Sequence, residues 1–251
     1  MNATGGEPDI AGVATLFADP TRARVLMALV DGRALPASVL ASEAGVTPQA
    51  LSSQLSRLLS TGFLEVERSG RYRYYRISDP RVISALEALA PLASVPPVTS
   101  LRQSTRAGAL RAGRTCYDHL AGRLGAAVTQ GLIDRGALVP EDGIRDNRRR
   151  DSDPLSSQLR HHPYRLGDTS VLVGLGVPRE RLDGSASRRP LLRFCLDWTE
   201  QRHHLAGRLG SDLLAAFTGA GWVTRASGNR AVRVTPAGAT ALRECLGIKA
   251  G

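Results

Sequence analysis

"PQALSSQLSRLLSTGFLEVERSGRYRYYRI" occupies Pro48–Ile77 and decides the fold of the amino-terminal third. Leu51, Leu55, Leu58 and Leu59 recur at helical spacing, so Pro48 onward reads as a helix with one buried face. Thr47 stands as its cap and Pro48 at its first position. The opposite face carries Gln49, Ser52, Ser53, Ser56 and Arg57, all short amides and hydroxyls plus one guanidinium, with no acid among them. Gly62 stops the helix. The next stretch alternates apolar and polar around Ser69-Gly70, the pattern of a strand–turn–strand hairpin. Arg68, Arg71 and Arg73 cluster at its tip, interleaved with Tyr72, Tyr74 and Tyr75.

Working outward, Asp19-Pro20 opens a helix carrying Val25, Leu26, Leu29 and Val30, preceded by a short apolar helix over Ile10–Ala18. Pro36 opens a further helix with Val39, Leu40 and Ala44 inward, broken at Gly45. Asp79-Pro80 starts another with Val82, Ile83, Leu86 and Leu89. The order helix, turn, helix, basic hairpin is a winged helix-turn-helix. A helix of this width fits the major groove, where Gln49 and the serines reach base edges and Arg57 reaches base or phosphate. Thr47 flanks that face. Arg68, Arg71 and Arg73 suit phosphates or the minor groove.

These segments, "LFADPTRARVLMAL" and "GVTPQALSSQLSRLLSTGFLEVERSGRYRYYRI", resemble the ArsR/SmtB family of bacterial repressors over about Asp9–Ala93. The resemblance implies a homodimer formed by the first and last helices of this part, acting on double-stranded operator DNA with dyad symmetry. The chain departs from the family in lacking its two common sensor sites within this part. A cysteine cluster around Val39–Ala44 is absent, and "DPRVISALEALAPLA" has no histidine for the family's other common metal site.

The 251 residues leave room for more. "ASVPPVTS" (93–100) and "DGSASRRP" (183–190) read as linkers. Between and beyond them "HLAGRLG" occurs twice, at 119–125 and 204–210, followed by "GLIDRGALV" and "AFTGAGWV". A recurrence of this length marks an internal duplication. The expected layout is a winged helix-turn-helix over 8–95, repeat A over 104–182 and repeat B over 191–248. The fold class is mainly α with small β-hairpins, the repeats being winged-helix-like. In repeat A the Arg-rich insertion 140–163 reads as a mobile loop. Repeat B continues through a turn at Ser227-Gly228-Asn229.

The repeats also resemble a long-form subgroup of the same family. They hold nearly all the soft ligand chemistry of the chain: Cys116, Asp118 and His119, then Cys195, Asp197, His203 and His204. Cys116 and His119, three apart, read as one face of a helix. Cys116, Asp118, His119, Cys195, Asp197 and His204 are the candidate ligands for a divalent ion such as zinc, since thiolate with imidazole suits borderline and soft ions. If the duplicated halves pack about a pseudo-twofold axis, His119 meets His204. Other readings stand beside this one: buried cysteine as a small hydrophobe, histidines hydrogen-bonded to backbone, a thiol redox switch, or an organic ligand among Trp198, Phe217 and Trp222.

A formal charge of +10 favours a polyanionic partner, although a single lysine, Lys249, against abundant arginine is also what GC-rich coding produces. Three scattered cysteines form no disulfide framework. No secretory leader or membrane span is expected, hence a cytoplasmic regulator. The function expected is a sequence-specific repressor whose repeats sense a metal ion or small molecule. The alternatives are a sequence-neutral nucleic-acid-binding protein and a Cys/His-dependent enzyme.

Overall fold

The structure, a computed structural model, describes residues 7–30, 32, 34–69, 72–93, 101–153, 159, 161–182, 189–226 and 229–249. Helix caps set the amino-terminal elements. Asp9 accepts the Gly12 N–H at 2.8 Å and opens α1 (Ile10–Ala18). Asp19 Oδ1 accepts the Thr21 and Arg22 N–H groups at 2.9 Å and opens α2 (Pro20–Leu29). Helix α3 (Ala37–Ala44) ends on Gly45, whose φ of +70° is a left-handed cap that favours glycine. Thr47 caps α4 (Pro48–Ser60), accepting the Ala50 N–H.

Leu51, Leu55 and Leu58 are buried on α4, against α2 and α3. At roughly 2 kcal/mol each, this burial is what holds α4 in place. Leu59, expected in the same face, is only half-buried. The hairpin forms as β2 (Leu64–Ser69) and β3 (Tyr72–Ile77), antiparallel, with Arg68 opposite Arg73. A two-residue strand β1 (Leu35–Pro36), which the sequence did not reveal, pairs with β3 to give the order β1-β3-β2. Helix α5 (Pro80–Leu89) follows.

The chain divides into two compact units, 1–83 and 84–251. In the second, α6 (Leu101–Ala112) leads into a duplicated pattern. Each copy runs hairpin, helix, hairpin, helix. The first is β4 (Arg114–Cys116), β5 (His119–Ala121), α7 (Gly122–Asp134), β6 (Leu138–Pro140), β7 (Tyr164–Leu166) and α8 (Thr169–Gly174). The second is β8 (Arg193–Leu196), β9 (His203–Ala206), α9 (Gly207–Gly219), β10 (Val223–Arg225), β11 (Val232–Val234) and α10 (Pro236–Leu246). A shared core of Leu124, Leu132, Phe194, Leu209, Phe217 and Leu242 runs through both.

Two expectations are corrected here. Cys116 and His119 do not lie on a helix: they are cross-strand partners in the β4–β5 hairpin. The turn between them places Tyr117 at φ +56°, and Gly122 at φ +73° delays the helix to the second half of "HLAGRLG". The described part of the insertion is also packed rather than loose. The Asn147 side chain is fully buried and donates to the Ala126 and His203 carbonyls at 2.7 and 2.9 Å, and Leu159 is buried. Arg150 ties the same segment together through Asp142 and Asp146.

Candidate metal centre and nucleic-acid surface

The two copies meet through their first hairpins. Helix α7 packs on β9, α9 packs on β5, and β5 lies against β9. The exchange works because glycine lies at each crossing. A Cβ on Gly210 would stand 3.0 Å from the His119 Cβ and 2.6 Å from the Leu205 carbonyl; one on Gly125 would reach 3.6 Å from the His204 Cβ and collide with the Leu120 carbonyl. The repeated glycine therefore lets each helix come down onto the other copy's histidine strand.

Register then does the rest. Cys116 faces His119 across β4–β5, and Cys195 faces His204 across β8–β9, so each copy supplies the same cross-strand Cys–His pair. All four side chains are buried, and one ligand atom from each lies within 4.8 Å of the others. The His119 and His204 rings stack with centroids 5.2 Å apart. This Cys2His2 cluster can coordinate a divalent ion such as zinc. The Nε2 of His204 has no hydrogen-bond partner among the described residues, although buried polar atoms ordinarily have one. A metal ion would satisfy it, so the donor set fits such an ion.

Asp118 and Asp197 stand outside the cluster. Asp197 accepts from Arg114 Nη2 at both of its oxygens (2.8 and 2.9 Å), from the Gly122 N–H at 2.6 Å and from the Thr199 N–H at 2.9 Å. Burial opposes its charge, but Arg114 and these donors hold the carboxyl well below the usual range. Its Oδ2 lies 3.7 Å from His204 Nδ1. Asp118 pairs with Arg189 through both oxygens and lies 3.5 Å from His119 Nδ1. It too is held low, with Arg189 and His119 outweighing burial. Burial pushes His204 down, against the pull of Asp197.

His203 alternates to the opposite side of β9 from His204. Its Nδ1 lies 2.8 Å from the Tyr164 hydroxyl and its Nε2 2.7 Å from Asp153, joining the strand to the insertion. Burial lowers its pKa despite Asp153. This chain of groups was missed in the sequence, where only the His-His doublet pointed to it. The aromatic residues expected around an organic ligand go elsewhere. Trp198 lies over the Arg114 guanidinium at 4.9 Å, and Trp222 packs on the buried Phe217 at 5.2 Å.

In the first unit, Gln49, Ser52, Ser53, Ser56 and Arg57 are all exposed on α4. Thr47 is exposed beside them, its hydroxyl engaged in the cap. Gln54 is held from below by Arg22 at 2.6 Å. Arg68 and Arg73 are exposed and directly opposite on the wing, whereas Arg76 is paired with Glu65 at 3.0 Å. Arg71 lies outside the described residues. No helix among the described residues is long and apolar enough to cross a membrane.

Comparison with known proteins adds four findings. A family profile described as a helix-turn-helix domain matches residues 17–67. An uncharacterized HTH-type transcriptional regulator of Bacillus subtilis, YdfF, is 35% identical over 242 residues, covering 96% of this chain and 99% of the relative. The HTH-type transcriptional regulator CmtR of Mycobacterium tuberculosis is 36% identical over 83 residues, 33% of this chain and 70% of the relative. Among solved structures, NolR from Sinorhizobium fredii aligns with 38% of this chain and 100% of its own at 27% identity and a TM-score of 0.33.

Proposed function

Because the chain belongs to the ArsR/SmtB-like winged helix-turn-helix transcriptional regulators, we propose that it is a sequence-specific repressor of the family's long form, whose operator affinity is set by metal binding in its carboxy-terminal repeats. What carries the DNA half is the outer face of α4, with Gln49, Ser52, Ser53, Ser56 and Arg57 exposed and acid-free. Short donors and acceptors of this kind read base edges. The facing pair Arg68 and Arg73 supplies phosphate contacts. Like charges directly opposite on a hairpin are unfavourable by themselves and become favourable beside a polyanion.

The protein acts as a homodimer in this reading, which gives two recognition helices for two half-sites. Support comes from apolar side chains left in solvent: Ile10 and Val13 on α1, and Leu89 and Leu92 at and after the end of α5. The repeats are sensory rather than additional DNA readers. Helices α7 and α9 occupy the positions of recognition helices in their copies, yet most of each is buried. The alignment with YdfF runs through both units, so that relative shares the second unit. Cys116, His119, Cys195 and His204 are the ligands, and occupancy shifts the population between operator-binding and released states.

The test is duplex selection from a random pool, followed by competition binding at moderate salt, with the protein stripped of metal and then loaded with zinc or cadmium. Discrimination against random DNA is expected, and its strength changes on loading. Equal affinity for all duplexes would favour a sequence-neutral binder instead.

A further inference from the structure

We propose that Asp118 and Asp197 orient the two ligand histidines, each taking the Nδ1–H of its histidine, so that a divalent ion meets Nε2 of His119 and His204 together with Sγ of Cys116 and Cys195. This deepens the metal reading above and rests on it.

The carboxylates have the positions and the commitments such a role needs. Asp118 Oδ1 lies 3.5 Å from His119 Nδ1, and Asp197 Oδ2 lies 3.7 Å from His204 Nδ1. A closure of about 0.8 Å would give the second pair an ordinary N–H···O length of about 2.9 Å. Each copy thus repeats one arrangement, a carboxylate behind the histidine and a thiol across the hairpin. Neither carboxylate turns toward the cluster. Both oxygens of Asp197 are taken by Arg114, with Gly122, Thr199 and Glu200 N–H groups added. Both oxygens of Asp118 are taken by Arg189. A carboxylate that accepts Nδ1–H fixes the tautomer and ring angle and makes Nε2 a better donor to the ion.

Charge selects the ion class. Each carboxylate is matched by its own arginine, so the charge left to the ion is that of two thiolates. A divalent ion makes the buried cluster neutral, whereas a monovalent or trivalent ion leaves a net charge that burial penalises. Two thiolates with two imidazoles then favour zinc or cadmium over magnesium or calcium.

The experiment has two arms on the full chain. Zinc-loaded protein with 15N-labelled histidine is read by long-range 1H–15N correlation, and cobalt(II) titrations follow wild type, Asp118→Ala and Asp118→Asn. Asp118 is partly exposed, so these variants keep the fold that an Asp197 variant risks. Expected are Nδ1–H tautomers with metal-shifted Nε2 for both histidines. Asp118→Ala should lose roughly 10–100-fold in cobalt affinity with unchanged d–d and thiolate charge-transfer bands, and Asp118→Asn should recover part of it. Coordination through Nδ1, unchanged affinity, or an altered band pattern in Asp118→Ala would overturn the inference while leaving the metal site standing. No binding of zinc or cobalt by wild type would overturn the metal reading as well.

Discussion

Arg114 donates to both carboxylate oxygens of Asp197, at 2.8 and 2.9 Å, with both side chains withdrawn from solvent. The pair joins the first strand of one repeat to the hairpin of the other, and Arg114 also donates to the Leu110 carbonyl near the end of α6. Removing one partner strands a buried charge, which costs about 3–5 kcal/mol. Asp197→Ala should cost more than Arg114→Met, because Asp197 also serves the Gly122 and Thr199 N–H groups. Trp198 and Trp222 are the only tryptophans and both lie in the second unit, so urea unfolding followed by their fluorescence reads this unit alone. Equal stabilities for the two variants and wild type would show that the pair holds nothing together.

The glycines of the duplicated heptapeptide give a second prediction. Gly210→Ala puts a methyl 2.6 Å from the Leu205 carbonyl and 3.0 Å from the His119 Cβ, so α9 must lift off β5. Overpacking of this kind costs about 1–3 kcal/mol. The lift separates the histidines, so zinc affinity falls together with stability. Gly219→Ala, where a Cβ meets nothing within 4 Å, serves as the control and should leave both unchanged.

The sequence carried some of this and hid the rest for physical reasons. The winged helix-turn-helix was legible because α4 is long and regular, with Leu51, Leu55 and Leu58 stating its buried face. The repeat was legible as identity, and with it the approach of His119 to His204. The secondary structure around the cysteines was not. Cys116 and His119 are three apart, which mimics a helical face, and strands of three residues are too short to show alternation. Asn147 looked like a loop residue because its partners, the Ala126 and His203 carbonyls, come from elsewhere in the chain. The carboxylates Asp118 and Asp197 looked like ligands for the same reason: the arginines that hold them, Arg189 and Arg114, are 71 and 83 positions away.

Acid should loosen the second unit in two stages. Burial holds His203 and His204 below their ordinary value of 6.5; Asp153 opposes this for His203, while for His204 Asp197 opposes it and His119 and Arg114 add to it. The folded metal-free protein therefore refuses protons that the unfolded chain takes up near pH 6.5. Stability is complete above that pH and falls below it, by up to about 1.4 kcal/mol per pH unit for each histidine. Asp118 and Asp197, held low in the fold, keep their contribution until the pH drops below about 3.9, the unfolded carboxyl value, and lose it further down. Urea midpoints measured in chelator from pH 8 to pH 5 test the first stage. His203→Gln should shallow the slope by one proton, and a flat profile in wild type would contradict the assignment.

On the wing, binding and stability should move in opposite directions. Arg68 and Arg73 face each other across β2 and β3 without an acid between them in the register, while Glu65 has gone to Arg76. Replacing Arg73 by Thr relieves that repulsion, worth a few tenths of a kcal/mol, and puts a better strand former in its place. The thermal midpoint should hold or rise. DNA affinity should nevertheless fall for every duplex alike, and the slope of log K against log salt should shrink by about 0.9 for the lost phosphate contact. Gln49→Ala, on the exposed start of α4, should behave differently. It should leave the salt slope in place and cost about 1–3 kcal/mol on the preferred duplex only. The two variants separate a phosphate grip from a base reading on one protein. If Arg73→Thr lost preference and Gln49→Ala lost salt dependence, the roles assigned to wing and helix would be reversed.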